Sequence, residues 1–576
     1  MWAPHADTVS VIGSFNDWDS DAHPMEAEEG GYWFADIPEA EIGDEYKFQL
    51  RNGNQSLERI DPYARKVTSS VGNAIVHDPV FDWSGDDYEL PPWNELVIYE
   101  MHVGTFGRQP GDHGNSDFDG IESQFDHLSR LGINVIQLMP IGEFGGVVSW
   151  GYNPSQIFAV ESDYGGPVEL KEFISLAHRR GFGIVLDVVY NHFGPSDLEL
   201  WQFDGWSSNG KGGIYFYNDW RSATPWGDTR PDYGRNEVRQ YIRDNVQMWR
   251  HEYHVDGLRF DMTQFIRTVD GSDSTEIPDG WSLMQWINEE LSEQDPNFLA
   301  IAEDLQNNEY LTKPPEEGGA GFGSQWDARF VHPIRELLQA PRDEQRSMVS
   351  LQQALEHGYN ERAFQRVVYT ESHDEVANGK ARVTEEIDPE NVDNWFAQKR
   401  STLGAALVLT APGIPMLFQG QEFLQGDWFD DQAPLDWEQA EEYGGIVRLY
   451  RDLVRLRRNI DGETKGLTGQ LLNVHHVNDV DKLIAFHRWN KGGPGDDVIV
   501  VLNFANRAWE TYEIGLPRAG IWRLRLNSDW SGYSDGFGNY SSTDITAPPN
   551  RRDGYPATGS LSIGAYSALI YSQHRT

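Results

Sequence analysis

The chain has 576 residues and a formal net charge of −45, from 91 acidic and 46 basic residues, and it contains no cysteine. This length predicts roughly two to four domains rather than a single core. The acidic excess argues against a nucleic-acid partner, because nucleic-acid binding depends on a basic surface. The absence of cysteine excludes disulfides, thiolate metal sites and a cysteine nucleophile.

Composition also leads to expectations about the protein's surroundings. Repulsion among so many carboxylates destabilises the folded state at low ionic strength, and salt screens it. We therefore interpret the acidity as adaptation to high salt; the alternative is an ordinary acidic enzyme. No window approaches ~18 consecutive apolar residues, and the first residues, MWAPHADTVSVIG, lack a basic segment followed by an apolar run. We expect a cytoplasmic monomer without a membrane span.

Residues 1–90 predict an all-β domain. Short β-rich runs alternate with turns in the order TVSVIGSFNDWD, GYWFADIPEA, EYKFQLRNG and GNAIVHDPVFDW. Gly, Asn, Asp and Pro separate the runs at intervals typical of a small β-sandwich. A proline-marked junction, YELPPWNE, follows.

Residues 91–465 alternate apolar strands with amphipathic helices. The predicted strands are ELVIYEMHVGTF, INVIQLMPI, GIVLDVVYNH, GLRFD, FLAIAED, VVYTESHD and IPMLFQGQEF, and helices such as IESQFDHLSRLG and VRQYIRDNVQMWRHEYH lie between them. This alternation predicts a parallel sheet with helical crossovers, covered on its outer face. We predict a (β/α)₈ TIM barrel with a short insertion, about 193–232, after the third strand. An open doubly wound sheet is the alternative, but no G-x-G-x-x-G follows a first strand.

Residues 466–576 predict a C-terminal all-β domain, a second β-sandwich. The predicted strands are LIAFHRW, DVIVVLNFA, IWRLRLNSD and YSALIYSQ. Residues 531–560 are rich in Gly, Ser, Asp and Pro, and we predict a loop there.

Polar residues end four of the predicted barrel strands, where the active sites of such barrels lie. They are Asp187, Asn191 and His192 on the third strand, Arg259 and Asp261 on the fourth, Glu303 and Asp304 on the fifth, and His373 and Asp374 on the seventh. Each group alone has an ordinary explanation, such as a turn, a helix cap or a surface ion pair. Several carboxylates buried on one rim are costly unless they have a task. Glycoside hydrolysis needs two such carboxyl groups; a metallohydrolase is the alternative, but no H-E-x-x-H motif is present.

DVVYNH, GLRFD, IAED and SHD resemble, in this order, the four signature regions of the α-amylase superfamily, glycoside hydrolase family 13. WGYNP (150–154) resembles the segment after the family's second strand. SFNDW resembles the N-terminal starch-binding-type β-sandwich of branching enzymes and trehalohydrolases. Such members usually carry a strand before the W-A-P of MWAPHA, so we expect the start of this chain to be truncated or misassigned.

The resemblance implies a residue set and its roles. Asp261 would be the nucleophile, Glu303 the general acid/base and Asp374 the third carboxylate, which distorts the bound sugar. Arg259 would orient Asp261 and lower its pKa to keep it ionised, while Glu303 must hold a proton near neutral pH. The substrate-binding residues would be His192, His373, Asp187, Tyr152 and Trp150, together with Arg259. Neither a cofactor nor a metal is expected. In many amylases the residue matching Asn191 binds calcium, but here the insertion is short.

The quoted segments divide among members of the superfamily. SHDEVANGK (372–380), GQEF (420–423), PLDW (434–437) and IWRLRLNSD resemble branching enzymes; YEMHVGTF (99–106), DVVYNHFGP and AEDLQNN resemble maltooligosyltrehalose trehalohydrolase. We rank first a 1,4-α-glucan branching enzyme, which transfers a chain from a covalent glycosyl-Asp intermediate to a 6-hydroxyl. The alternatives are an amylase-type α-1,4-glucan hydrolase, a trehalohydrolase and, more remotely, a non-catalytic glucan-binding protein. The expected partner is an α-1,4-glucan such as glycogen, amylose or maltooligosaccharides.

Overall fold

A computed structural model describes residues 1–107 and 115–574 of the chain. The N-terminal region is all-β. Its strands are β1 (Thr8–Gly13), β2 (Glu26–Ala27), β3 (Trp33–Phe34), β4 (Glu45–Asn52), β5 (Gln55–Arg59) and β6 (Ala74–Ile75). Strand β4 pairs antiparallel with β1, β5 and β6, and β2 pairs with β3. In β1 the side chains of Val9 and Val11 are buried while Thr8 is exposed, as alternation along a strand with one buried face requires.

In its described residues, 91–107 and 115–465, the central region contains ten strands and thirteen α-helices. The strands are β7 (Ile98–Met101), β8 (Val135–Leu138), β9 (Gly142–Phe144), β10 (Pro154–Val160), β11 (Gly183–Val188), β12 (Gly257–Phe260), β13 (Leu299–Ala302), β14 (Ser324–Trp326), β15 (Arg366–Val368) and β16 (Ile414–Phe418). The helices are α1 (Val103–Phe106), α2 (Phe118–Glu122), α3 (Phe125–Leu131), α4 (Pro167–Arg179), α5 (Asn236–His251), α6 (Gln264–Arg267), α7 (Pro278–Gln294), α8 (Ala328–Gln339), α9 (Met348–Glu356), α10 (Val383–Ile387), α11 (Trp395–Thr410), α12 (Glu438–Glu442) and α13 (Gly444–Arg457).

Eight of these strands close a parallel barrel in the order β11-β12-β13-β14-β15-β16-β7-β8, which confirms the predicted fold. Every residue of β11 and β12 is buried, because helices cover the outside of the sheet and side chains fill the inside. Helix α5 buries Val238, Ile242, Val246 and Trp249, the face that its period of 3.6 places toward the sheet.

Two predictions about elements were incomplete. The sixth barrel strand, β14, was not among the predicted strands, because it has only three residues, SQW, and no apolar run. The single helix predicted for IESQFDHLSRLG is broken into α2 and α3, since Gln124 has φ −102° and ψ 2° and is not helical.

The C-terminal region is all-β, as predicted. Its strands are β17 (Leu471–Asn478), β18 (Leu483–Trp489), β19 (Val498–Asn503), β20 (Trp509–Leu516), β21 (Gly520–Asn527), β22 (Ile545–Ala547), β23 (Ala557–Ile563) and β24 (Ser567–Ser572). They form a six-stranded sheet in the order β17-β18-β19-β24-β21-β22 and a separate pair, β20-β23. Strand β22 and the start of β23 lie in the stretch predicted to be loop, so that prediction was wrong there.

The insertion at 193–232 is joined to the N-terminal region by Asp204, whose side chain is fully buried. Its Oδ2 accepts the backbone N–H of His5 at 3.0 Å and lies 2.8 Å from His5 Nδ1. Asn52 donates to the Asp204 carbonyl at 2.9 Å, and Trp206 stacks on the His5 ring. Within residues 1–107 and 115–574, no helix is both long and apolar enough to cross a membrane.

Candidate active site

Strands β11 and β12 bring an acid and a base together at the carboxyl end of the barrel. Asp187 and Arg259 are register partners on these adjacent parallel strands, and both side chains are fully buried. The chain continues from β12 directly into Asp261, and from β13 into Glu303. The three predicted carboxylates nearest Arg259 therefore come from three neighbouring strands.

One guanidinium contacts all three of these carboxylates. Arg259 Nη1 donates to Asp187 Oδ2 at 2.7 Å and to Asp261 Oδ1 at 3.0 Å. Its Nη2 lies 2.6 Å from Glu303 Oε2. The face of the cation rests 4.3 Å from the ring centroid of Trp326 on β14. Because Arg259 pairs with three acids, its role extends beyond the predicted one of serving Asp261 alone.

Burial and the shared cation give Asp261 and Glu303 different proton affinities. Burial raises the pKa of Asp261 to about 6, with Arg259 opposing the rise. Arg259 thus acts in the predicted direction, but burial outweighs it, and Asp261 stays mainly ionised at neutral pH. Burial, together with the charges of Asp261 and Asp374, raises the pKa of Glu303 to about 8 against the effect of Arg259. One ionised and one protonated carboxyl is the arrangement that glycoside chemistry needs.

Further hydrogen bonds orient the same two carboxylates. Asp261 Oδ2 accepts from Asn191 Nδ2 at 2.9 Å, and Glu303 Oε2 accepts from the backbone N–H of Met262 at 3.0 Å. Met262 has φ +38°, a left-handed backbone that side-chain-bearing residues seldom adopt. This turn directly after Asp261 aims a peptide N–H at Glu303, so local strain is tied to the geometry of the pair.

A buried glutamate of the first strand holds His373. Glu100 Oε1 lies 2.8 Å from His373 Nδ1, and Glu100 Oε2 accepts the His373 backbone N–H at 3.1 Å. Burial alone would lower the pKa of His373, but the charges of Glu100 and Asp374, together with the Glu100 hydrogen bond, outweigh it and raise that pKa to about 9. The imidazolium Nε2 lies 3.8 Å from Asp374 Oδ1, and the Asp374 side chain is 39% exposed. The protonated ring therefore points a positive group at the most accessible of the three predicted acids.

Tyr152 links the remaining predicted residues. Its hydroxyl donates to Asp187 Oδ2 at 2.6 Å, and its ring stacks on His373 with centroids 5.0 Å apart. Its carbonyl oxygen lies 2.9 Å from His192 Nε2, and burial lowers the pKa of His192 to about 4. Trp150 meets His373 edge-on at 5.9 Å. The structure thus brings all nine predicted site residues into one connected cluster; their roles stay predictions.

Several contributors to the cluster were not predicted as site residues. Glu100 lies inside an apolar strand, and a buried acid in YEMH was the signal that could have revealed it. Trp326 belongs to the unpredicted strand β14. Trp226 of the insertion stacks on His192 with centroids 4.5 Å apart, and nothing in the sequence pairs these two residues. Asn191 was noted only as a strand-end residue.

Asn191 is engaged within the cluster through both ends of its side-chain amide. Besides donating to Asp261, its Oδ1 lies 3.0 Å from His192 Nδ1. Within the described ranges 1–107 and 115–574, no group of three or more His, Asp or Glu side chains is arranged to hold a metal ion.

Three family descriptions match successive parts of the chain. Residues 104–221 and 200–448 match "Alpha amylase, catalytic domain". The chain belongs to the α-amylase family. Residues 1–64 of this α-amylase-family enzyme match "Carbohydrate-binding module 48 (Isoamylase N-terminal domain)", and residues 474–574 match "Alpha amylase, C-terminal all-beta domain".

Named relatives cover the enzyme from end to end. It is 30% identical over 603 residues to the 1,4-alpha-glucan branching enzyme GlgB of Corynebacterium jeikeium, covering 99% of this chain and 81% of that protein. It is 30% identical over 602 residues to GlgB of Salinibacter ruber, covering 99% of this chain and 93% of that protein.

Solved structures share the fold. A putative alpha amylase from Salmonella typhimurium has TM-score 0.74 and 23% identity, covering 100% of this chain and 97% of that one. A pullulanase from Paenibacillus barengoltzii, in complex with maltohexaose and alpha-cyclodextrin, has TM-score 0.75 and 20% identity, covering 100% of this chain and 93% of that one.

Proposed function

We propose that this α-amylase-family enzyme is a 1,4-α-glucan branching enzyme that works with retention of configuration. The observation that carries the proposal is the pair Asp261 and Glu303, which share Arg259 but have pKa values near 6 and 8. Support for branching rather than another α-amylase-family reaction comes from relatives named branching enzymes that align over 99% of the chain.

In the first half-reaction a glucan chain is transferred to Asp261. Glu303 donates its proton to the glycosidic oxygen, and the departing segment leaves as a free 4-hydroxyl. A carboxylate oxygen of Asp261 attacks C1 from the opposite face and forms the glycosyl ester. Arg259 and Asn191 hold the two oxygens of Asp261, so the attacking atom is oriented before the sugar arrives.

In the second half-reaction Glu303, now ionised, takes the proton of an acceptor 6-hydroxyl. The 6-oxygen bonds to C1 as the ester bond to Asp261 breaks, and the retained configuration follows from two inversions. Water in place of the acceptor would give hydrolysis by the same steps. The difference between branching and hydrolysis is therefore set by what reaches C1, and not by the catalytic pair.

The other clustered residues would bind the sugar at the cleavage point. We propose that Asp374, the imidazolium of His373 and the neutral His192 bind its hydroxyls, and that Tyr152 and Trp150 offer aromatic faces to the ring. Asp187 would support this layer through its bonds from Tyr152 and Arg259.

The test incubates the protein with amylose and follows iodine colour, new reducing ends, and α-1,6 linkages by proton NMR. Branching conserves the number of glycosidic bonds, so colour falls and 1,6 signals appear while reducing ends barely rise. Reducing ends that rise without any 1,6 signal contradict branching and identify a hydrolase. Release of trehalose from maltooligosyltrehalose, with little action on amylose, identifies a trehalohydrolase.

We also propose that the domains divide at about 1–90, 91–465 and 466–576. Strand β6 ends at Ile75 before β7 begins at Ile98, and α13 ends at Arg457 before β17 begins at Leu471. Limited proteolysis followed by mass spectrometry tests these boundaries, because cleavage is expected in the two connecting segments. The cytoplasmic location and the monomeric state stay predictions.

A further inference from the structure

A groove of about 910 Å³ is lined in part by the loop that follows the proposed acid/base residue Glu303. Three segments line it: the end of α6 with the loop that follows, the start of α7, and the loop that follows β13. We call it the side groove and define it by residues 267, 271–273, 276–278, 281–282, 285 and 306–310. None of the nine residues of the predicted site lines it.

The side groove is fixed closely to Glu303. Gln306 follows Glu303 by three residues, a stretch of chain that spans at most about 11 Å. Arg267, in the groove wall, donates from Nε to Asp304 Oδ2 at 2.8 Å and from Nη2 to Asp304 Oδ1 at 3.0 Å. Thr263 donates to the Glu303 carbonyl at 2.9 Å. A ligand in the groove is thus held against the same backbone that carries the acid/base residue.

The lining suits a neutral ligand rich in hydroxyls. Trp281 is half-buried and Tyr310 is 46% exposed, so both lend aromatic area to the groove, as sugar rings require. Arg267 pairs with both Asp304 and Asp273, and Lys313 pairs with Glu309. With Glu276 also in the lining, acidic groups still exceed basic ones. This negative excess disfavours phosphate or another anion, while carboxylate and amide oxygens accept sugar hydroxyls.

Two groups in the groove are also left for a ligand to bind. Within residues 1–107 and 115–574, no protein group bonds the indole N–H of Trp281 or the side-chain amide of Gln306. Asn308, by contrast, is used locally, because its Oδ1 accepts the Tyr310 backbone N–H at 3.0 Å. That bond fixes the turn that presents the Tyr310 ring.

We propose that the side groove binds the acceptor α-glucan chain and so directs the enzyme toward transfer; this rests on the branching function proposed above. In the second half-reaction the acceptor O6–H proton passes to Glu303, the bond from C1 to Asp261 breaks and the bond from C1 to O6 forms. An acceptor held on the Glu303 side places its hydroxyl beside the base and keeps water from that position.

The experiment compares wild type with Trp281→Ala, Tyr310→Ala and the double variant, on amylose. The measured quantity is the ratio of new α-1,6 linkages to new reducing ends. We expect the ratio to fall about tenfold in the double variant, a size typical of losing aromatic anchors. Trp530→Ala is the matched control, since Trp530 is a 42% exposed tryptophan of the C-terminal region, and it should leave the ratio unchanged. Tyr310→Ala alone keeps the test valid if the Trp281 variants fail to fold.

Each outcome decides the proposal. A ratio unchanged in folded variants, including a parallel fall of both products, overturns the acceptor assignment. If wild type makes no α-1,6 linkages, the branching function fails, and the groove is tested by calorimetric titration of maltoheptaose into Asp261→Asn protein. There, loss or tenfold weakening of one binding step on adding Trp281→Ala supports a glucan groove, and an identical isotherm overturns it.

Discussion

Two groups of buried carboxylates differ in whether a cation lies among them; one follows barrel strands, and the other belongs to the separate sheet of β9 and β10. Asp187, Asp261 and Glu303 surround Arg259. Glu143 on β9 and Glu161 after β10 are 2% and 3% exposed, and backbone N–H groups of residues 162, 144 and 163 are their bonded donors. For residues 1–107 and 115–574, the structure gives neither of these two an ion pair with Lys, Arg or His.

The difference appears in the proton affinities. Without a cation, burial and the charge of Glu161 raise the pKa of Glu143 to about 8, and burial raises the pKa of Glu161 to about 7. Around Arg259 the two proposed catalytic carboxyls are split, at about 6 and about 8. Burial without a nearby cation therefore raises the pKa of both carboxyls. A guanidinium shared by two carboxyls instead keeps one of the two ionised beside a protonated neighbour.

The largest expected effect comes from the catalytic pair. Asp261→Asn or Glu303→Gln should lower turnover of amylose by roughly a thousandfold or more, because each removes a charge or a proton needed in the transition state. Circular dichroism and glucan binding should be retained. Glu143→Gln is the matched control, the same exchange in the group without a cation, and should retain activity. More than about a tenth of wild-type turnover, a barrier change of only ~1.4 kcal/mol, would exclude the assigned roles.

Replacing Arg259 should leave the first group of carboxylates without a cation, as Glu143 and Glu161 are. Arg259→Met leaves three buried carboxylates uncompensated and should cost about 3–5 kcal/mol of the free energy of unfolding, measured in urea. Arg180→Met is the control, because Arg180 pairs with Asp126 on the surface at 45% exposure, and such pairs contribute about 0–1 kcal/mol. Equal destabilisation by the two substitutions would show that Arg259 is not energetically special.

The split pKa values predict a bell-shaped pH profile for kcat/KM. Activity needs Asp261 ionised, so the rate should rise as pH increases through about 6. It also needs Glu303 protonated, so the rate should fall as pH passes about 8. Glu143→Gln should leave both limbs in place. A rate that is flat from pH 5 to 9 would contradict the assignment of these two groups.

Salt should change the contribution of exposed carboxylates to stability, but not that of buried carboxylates. With 91 acidic against 46 basic residues, raising KCl from about 0.1 to 2 M should increase Tm by several degrees, since ions screen exposed carboxylates. The buried groups are shielded from salt, so the change in Tm caused by Glu143→Gln should be the same at both concentrations. A flat or falling Tm in wild type would remove the salt-adapted interpretation.

The smallest expected effect is on stability at alkaline pH. The folded pKa of Glu143, about 8, lies above its ordinary value of 4.5, so folding favours the protonated form and stability is lost as pH rises through that interval. Glu143→Gln mimics the protonated form and should raise Tm by ~2 °C at pH 9, with almost no change at pH 5. A larger gain at pH 5 than at pH 9 would reverse the sign of this argument.

The sequence allowed most of the barrel to be predicted, because apolar strands ending in polar residues have a local signature. Trp150, Tyr152 and the roles of all nine clustered residues were predicted from the resemblance to the α-amylase superfamily. The sequence could not show that Glu100, the acid of YEMH, contacts His373, because the two are 273 residues apart. Nor could it reveal β14, a strand too short for any periodicity, and with it the Trp326 ring beneath Arg259. These contacts arise only when the barrel closes.

The raised pKa of Asp261 could not be predicted from the sequence, for a related reason. An Arg and an Asp two residues apart on a strand indicate an ion pair, and the pair is present at 3.0 Å. The sequence does not reveal that Glu303 and Asp187 share that arginine, or that the whole group is buried away from solvent. The net shift of the Asp261 pKa depends on how deeply the carboxyl is buried and on how many carboxylates share Arg259.

The insertion after β11 has a consequence for engineering. Its Asp204 is buried against His5 and Asn52 of the N-terminal region, while its Trp226 stacks on His192. The N-terminal region is therefore not an exchangeable module. A chimera that took this region from a relative would leave the buried Asp204 carboxylate without its partners unless residues 199–206 were transplanted with it. The loss would also affect His192, a proposed sugar-binding residue, through Trp226 of the same insertion.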